Sequence, residues 1–238
     1  MNSRLGASRH FLWMDEEPDR ARRVRNGEIL IAPMNGSGRT EVPNGLIHHW
    51  IGAAFFPDTT IEKVFATMEE YSCYKEFYKP TVIDSKLISR ESTQSSFSMR
   101  WLRNALWVTA VVDADYRAYY VRRNERSRYG FVWSIRLQEV VNYGQTSEAM
   151  LPAGTGSGFI WRLFSISRFE ECDGGVYVEV EAMALSRRVP GCLRWLVNPL
   201  IDRLSQGALT TSLSQTRDAV RSRTQSAGLH SCSSQPSR

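Results

Sequence analysis

The sequence contains no apolar run approaching the roughly 18 residues of a membrane-spanning helix, and Met1 to Arg25 holds no apolar core ahead of Asp15-Glu16-Glu17. These absences give the expectation of a soluble chain that stays in the cytoplasm. Cysteine is sparse: Cys73, Cys172, Cys192 and Cys232 lie far apart, with no C-x-x-C pair and no histidine at ligand spacing. No metal site follows, and free thiols are expected in a chain too large to need covalent staples. No G-x-S-x-G or H-E-x-x-H segment is present, so no hydrolase nucleophile is marked and no catalytic residue is assigned. The stretch Gly154-Thr155-Gly156-Ser157-Gly158 lacks the lysine and the following helix of a phosphate cradle. No cofactor is expected.

What is present suffices for one core with extensions, since 42% of the 238 residues are hydrophobic. The net charge of +5 sits largely in the flanks, at Arg20, Arg22, Arg23 and Arg25 and again at Arg217, Arg221, Arg223 and Arg238. Such basic arms suit weak contact with a membrane surface, although solvated termini are the commoner case, and no nucleic-acid binding is expected. The chain divides into a charged extension over 1–41, a folded domain over 42–222 and a tail over 223–238 that is expected to be disordered.

Asn198 to Arg223 reads as one long amphipathic helix closing the ordered chain. Asn198 suits the cap and Pro199 the first turn, and Leu200, Ile201, Leu204, Ala208, Leu209, Leu213 and Val220 recur at helical spacing. Its apolar stripe needs a partner, and the residues before it supply mainly strands. In chain order, Asp15 to Arg25 is a short charged helix opened by Pro18, Ile29 to Ile31 adds an edge strand, and Leu46 to Phe56 is a strand apolar on both faces. A helix capped by Asp58 or Thr59 follows, with Glu62 at capping-box spacing from Thr59, and then a second short helix over Tyr71 to Tyr78 that breaks at Pro80. Val82 to Arg90, Ser95 to Leu102, Leu106 to Asp113, Tyr116 to Arg126, Tyr129 to Val140, Gly158 to Glu170 and Val176 to Arg187 read as strands. Asp113-Ala114-Asp115 and Asp173-Gly174-Gly175 read as turns between them. This order is a segregated α+β arrangement: a strand, two short helices, an antiparallel meander and one long helix.

Several segments resemble the START-like superfamily, the helix-grip or SRPBCC proteins. They are Gly45-Leu46-Ile47-His48-His49-Trp50, the tyrosine-rich Tyr71-Ser72-Cys73-Tyr74-Lys75-Glu76-Phe77-Tyr78-Lys79-Pro80, Gly158-Phe159-Ile160-Trp161-Arg162-Leu163-Phe164, Gly174-Gly175-Val176-Tyr177-Val178-Glu179 and the terminal Pro190-to-Val220 stretch. That superfamily includes lipid-transfer domains, coenzyme Q-binding proteins, polyketide cyclases and the birch-pollen-allergen family. The resemblance covers about Val42 to Arg221. It implies a curved antiparallel sheet wrapped around the long C-terminal helix, with two short helices after the first strand. It further implies binding or transport of a hydrophobic small molecule, a lipid or an isoprenoid quinone, in an internal cavity. The alternative it allows is a polyketide cyclase or aromatase-like enzyme using the same cavity.

Strand alternation then proposes a lining. Tyr129, Phe131, Trp133, Ile135 and Leu137 share one face, which is expected to point inward. With Trp101, Trp107, Ile160 and Phe164 they would line an aromatic interior beneath Leu200, Leu204 and Ala208, although each is individually more often plain core. Arg162 shares a face with Ile160, Phe164 and Ile166. If that face is inward, the guanidinium needs a carboxylate such as Glu179 or Glu181 and would hold a polar head. If Trp161, Leu163 and Phe169 mark the inner face, it lies outside. In an enzyme, Arg162, His49 or a buried tyrosine would orient a carbonyl. His48 and His49, as strand neighbours, face opposite sides and cannot chelate together, and Asp113 with Asp115 serves a turn. The loop Tyr143 to Ser157, with apolar Met150, Leu151 and Pro152, is placed to cover the cavity mouth.

Overall fold

The computed structural model describes residues 10–105, 108–157, 160–188 and 194–225, without the side chains of 103–109 and 194–200. Trp107 and the tail beyond 225 therefore lie outside the described residues. The chain order is helix α1 (Pro18–Arg25), strands β1 (Leu30–Pro33), β2 (Arg39–Val42) and β3 (Gly45–Pro57), helices α2 (Ile61–Met68) and α3 (Tyr74–Phe77), strands β4 (Val82–Arg90), β5 (Gln94–Ala105), β6 (Val108–Arg122), β7 (Ser127–Val141), β8 (Ala149–Met150), β9 (Arg162–Cys172) and β10 (Gly175–Arg187), and helix α4 (Arg194–Gln225). The strands form one antiparallel sheet in the order β1-β3-β10-β9-β7-β6-β5-β4, with β2 added to β3 and β8 to β7.

Sequence and fold agree on the α+β order, and four local differences have physical causes. Asp113-Ala114-Asp115 is not a turn: β6 runs through it, because Asp113 and Asp115 find arginines across the strands. Arg100 Nη2 lies 2.8 Å from Asp113 Oδ2, and Arg136 Nε lies 2.7 Å from Asp115 Oδ2. The cap of α2 is Thr60, whose hydroxyl accepts from the Lys63 N–H; Asp58 instead takes the left-handed turn, at φ 55°. Helix α4 begins before Asn198, so Pro199 lies inside it at the cost of one backbone bond. Cys73 is disulfide-bonded and Cys172 free, since proximity in the fold rather than spacing in the chain decides pairing.

Helix α4 lies across one face of the sheet. Its buried stripe of Leu209, Leu213, Thr216, Ala219 and Val220 keeps helical spacing. Leu213 and Val220 pack with Ala54 and Phe56 of β3, Phe169 of β9 and Val176 and Val178 of β10, joined by Ile61, Val64 and Phe65 of α2. Approach is closest at Gly52, where a Cβ would fall 2.8 Å from Leu213 Cδ1, so a side chain there would lift the helix. Leu213→Ala is expected to cost about 2–5 kcal/mol, read as a lowered urea midpoint at unchanged m-value.

The described part of the segment before Val42 packs against the sheet. Phe11, Leu12, Trp13, Met14 and Val24 are buried against Ile51, Ala53, Phe55 and Tyr177, the residues of β3 and β10 that point away from α4. Met14 and Trp13 donate their backbone N–H groups to the two carboxylate oxygens of Glu179, each at 2.8 Å. The α1 arginines are also engaged: Arg20 stacks 3.9 Å over the Trp13 ring, while Arg22 pairs with Asp19 and Arg23 with Glu28. Both faces of the sheet are thus covered, one by α4 and the other in part by this strap.

Candidate functional site

The face of the sheet toward α4 is built by alternation from Leu46, His48, Trp50, Gly52, Ala54 and Phe56 on β3, Val176 to Ser186 at even positions on β10, and Leu163, Ser165, Ser167 and Phe169 on β9. It has three zones. Under the C-terminal half of α4 the packing is tight. At the far side the short helices fill the concavity with rings: Tyr71 stacks on Phe97 at 4.3 Å, and Phe97 on Tyr116 at 5.3 Å. Tyr74, Trp101 and Leu137 complete that cluster, and burial drives the Tyr74 and Tyr120 phenols well above their ordinary range. Between these zones the inner-face residues Val132, Leu163, Ser165, Val180, Ala182 and Ala184 are only partly buried, as are Ile160, Leu204 and Ala208; Val132, Ile160 and Leu163 edge the ring cluster and Val180 the α4 cluster. This middle zone is the candidate site.

Of the residues expected to line it, Trp101 and Ile160 do lie on the α4 side, Trp101 donating its indole N–H to Tyr116 Oη at 3.2 Å. Leu204 and Ala208 belong to the half-buried part of α4. The side chain of Leu200, like Trp107, lies outside the described residues. Phe131, Trp133 and Phe164 are on the opposite face: Trp133 is paired with Phe164 and Phe131 with Ile166 in the sheet, and the Phe131 and Phe164 rings lie 6.2 Å apart. Their inward orientation is thus corrected. Aromatic bulk was a poor guide because the outer face is itself partly covered, so Tyr129 packs beneath Phe11 to Met14. A register shift between Asp115 and Tyr116 skips Ile135, which brings Leu137 back to the inner face while Ile135 is 44% exposed.

Arg162 is exposed on the outer face, and Leu163 beside it faces inward. The buried guanidinium is that of Arg168, which is 1% exposed and lies 2.9 Å from Glu181. His49 also points outward, with Nε2 at 2.8 Å from Glu181 Oε1. Of the groups named for carbonyl chemistry, Arg162 and His49 are therefore both on the strap side, while the buried tyrosines Tyr71, Tyr74 and Tyr116 lie in the inner cluster. His48 is the inward histidine. Its Nε2 lies 2.8 Å from Ser186 Oγ, and burial first, with the Arg39 charge second, lowers its pKa to about 4. Arg39 reaches across to α4, Nη1 to Asp202 Oδ2 at 2.7 Å. Ser186, Trp50, Arg39 and Asp202 were not singled out from the sequence. Only the phase of β3, set by Gly52 and Ala54 as small residues under a helix, could have pointed to them.

The loop expected to cover the mouth is fastened along β7. Leu151 exchanges backbone and side-chain bonds with Glu139 and Gln138, each at 2.8 Å, and the Ser157 N–H donates to Glu139 Oε2 at 2.8 Å. Among the described residues no cluster of His, Cys, Asp and Glu could hold a metal ion, and no helix is long and apolar enough to cross a membrane.

No protein-family model and no curated protein matches the sequence. Solved structures do match in shape. A STAR-related lipid transfer protein fragment from Xanthomonas axonopodis superposes with TM-score 0.51 at 16% identity, covering 77% of this chain and 99% of its own. The Zhui aromatase/cyclase from Streptomyces sp. R1128 gives 0.52 at 8% identity, covering 76% and 98%. Human STARD10 gives 0.51 at 10% identity, covering 93% and 85%. The chain has a helix-grip fold, similar to that of these lipid-transfer and aromatase/cyclase structures.

Proposed function

We propose that the protein binds or carries a hydrophobic small molecule, a lipid or an isoprenoid quinone, between α4 and the inner face of the sheet. The observation that carries this is that Val132, Leu163, Val180, Ala182 and Ala184 keep partial exposure on the α4 side of the sheet, as do Leu204 and Ala208 on the helix. Apolar surface left open beneath a covering helix favours an apolar guest, and burying about 300 Å² of it yields roughly 7 kcal/mol before ordering costs. The STAR-related lipid transfer protein among the structural neighbours supports the same reading by analogy of fold. The aromatase/cyclase neighbour allows an enzymatic reading; of the groups named for it, Arg162 and His49 lie on the other face and only a buried tyrosine such as Tyr116 is on the α4 side. Site residues on this proposal are Trp101, Ile160, Leu204 and Ala208 with the inner faces of β9 and β10.

Native mass spectrometry of freshly purified protein, followed by solvent extraction, tests the proposal. A stoichiometric lipid or quinone is the expected result. A protein that is empty and refuses a panel of both would overturn it. Filling the zone should act in the same direction: Ala208→Trp is expected to weaken uptake of an apolar fluorescent dye by more than about ten-fold, on the scale of the excluded contact area. Unchanged uptake would place the guest elsewhere.

A further inference from the structure

One corner of this zone holds polar groups that the protein leaves unpaired. His48 and Trp50 project from the inner face of β3 and are 6% and 4% exposed. Arg39 stands opposite His48 in the sheet and pairs with Asp202, so β2, β3 and α4 meet here. When the Ser186 hydroxyl gives its one hydrogen to the Arg187 carbonyl, 3.3 Å away, it accepts the 2.8 Å contact from His48 Nε2–H. His48 Nδ1 is then a bare, buried acceptor with no donor among the described residues. Asp202 Oδ1 is a second buried acceptor of this kind, and the Trp50 indole Nε1–H is a buried donor with no acceptor. Buried polar atoms are nearly always paired, so three on neighbouring side chains call for a partner beyond the described residues.

The signs of these atoms define that partner. Two acceptors ask for a hydrogen, which a quinone or ester carbonyl does not have. A carboxylate or phosphate would bring a second anion beside Asp202, whose ion-pair partner among the described residues, Arg39, is already neutralised by it. An ammonium group would meet Arg39 as a like charge. A hydroxyl is neutral, gives one hydrogen and accepts another, and so suits His48 Nδ1 and Trp50 Nε1 together. We propose that this corner takes the hydroxyl of an otherwise apolar ligand, with His48 accepting its hydrogen. The inference rests on the binding function above and narrows the guest to apolar alcohols and phenols, reduced quinols among them.

The test uses the full chain loaded with an apolar fluorescent dye and titrated at neutral pH with cetyl alcohol and palmitic acid, which share one chain and differ at the head. The alcohol is expected to displace the dye about ten-fold more effectively, the worth of one well-placed hydrogen bond. His48→Phe should abolish that preference and leave palmitic acid where it was. In the wild-type protein, ring-nitrogen NMR should show the unprotonated His48 signal moving on addition of the alcohol and not of the acid, which decides the matter even if the variant does not fold. Equal displacement by both probes, or an unmoved His48 signal, overturns the hydroxyl assignment and leaves apolar binding standing. Failure of the dye and of both probes to bind overturns both.

Discussion

Arg168→Ala is expected to lower the unfolding free energy by about 3–5 kcal/mol, the range for breaking a buried ion pair by removing one partner. Arg168 is 1% exposed, and its Nη2 lies 2.9 Å from Glu181 Oε2. Burial alone would push the Glu181 carboxyl up, but hydrogen bonds from His49 and Arg168 and the Arg168 charge hold it down at about 2. Without the guanidinium, the buried carboxylate loses its Arg168 partner and keeps the His49 contact. Arg168 also stands opposite Glu179 in the sheet, the fully buried carboxylate that accepts the Trp13 and Met14 N–H groups, so the loss should spread to the strap. Hydrogen exchange at Trp13 and Met14 should accelerate in the variant together with the fall in urea midpoint. Removing the pair as a whole is a different matter, because desolvation offsets most of its attraction. Arg168→Leu combined with Glu181→Leu is expected to recover most of the single-variant loss. A loss below about 1 kcal/mol in Arg168→Ala would mean that water reaches the pair and that the strap does not seal it.

The element order was legible because each piece satisfied its own local rule. The 13-residue β3 announces itself as a strand buried on both faces, and it has α4 on one side and the strap on the other. The stripe Leu209-Leu213-Val220 is visible at helical spacing and is the stripe that packs. What could not be read was the sidedness of the sheet. Period-two alternation gives two faces but not which of them meets the helix, and the usual tie-breaker, greater apolar content, fails when the outer face is covered as well. Phe131, Trp133 and Phe164 were therefore placed with the chamber although they share their face with Arg168 and Glu181. The strap itself was obscured by its charge. Arginine-rich flanks suggest solvation, yet Phe11-Leu12-Trp13-Met14 is an apolar run directly ahead of them, and Arg20 folds back on Trp13. Asp113 and Asp115 were misjudged for a related reason: a turn former is also a cross-strand partner when Arg100 and Arg136 stand beside it.

Falling pH should reveal His48. In the folded chain burial, and secondarily the Arg39 charge, lowers its pKa to about 4 from an ordinary 6.5. The unfolded chain therefore binds a proton that the folded chain refuses between these values. Stability is complete above about pH 6.5, falls as the pH drops toward 4, and levels off below, with a total loss of up to about 3 kcal/mol. The groups around the ring are Ser186 of β10, Arg39 of β2 and Asp202 of α4, and Asp202 is itself raised by burial. Protonating Asp202 would free the Arg39 charge beside His48 and oppose imidazolium further, so it cannot rescue the acid form. Glu181 acts later and in the same direction: its depressed pKa makes its contribution fade only as the pH falls from about 4.5 toward 2. The two limbs are separable by substitution. His48→Gln removes the ionisable ring and should flatten the wild-type fall between pH 6.5 and 4 while leaving the lower limb intact. Urea midpoints across that range would show the difference. Parallel profiles for the two proteins would mean that His48 takes up its proton without leaving its place, and that the corner around it is open to water.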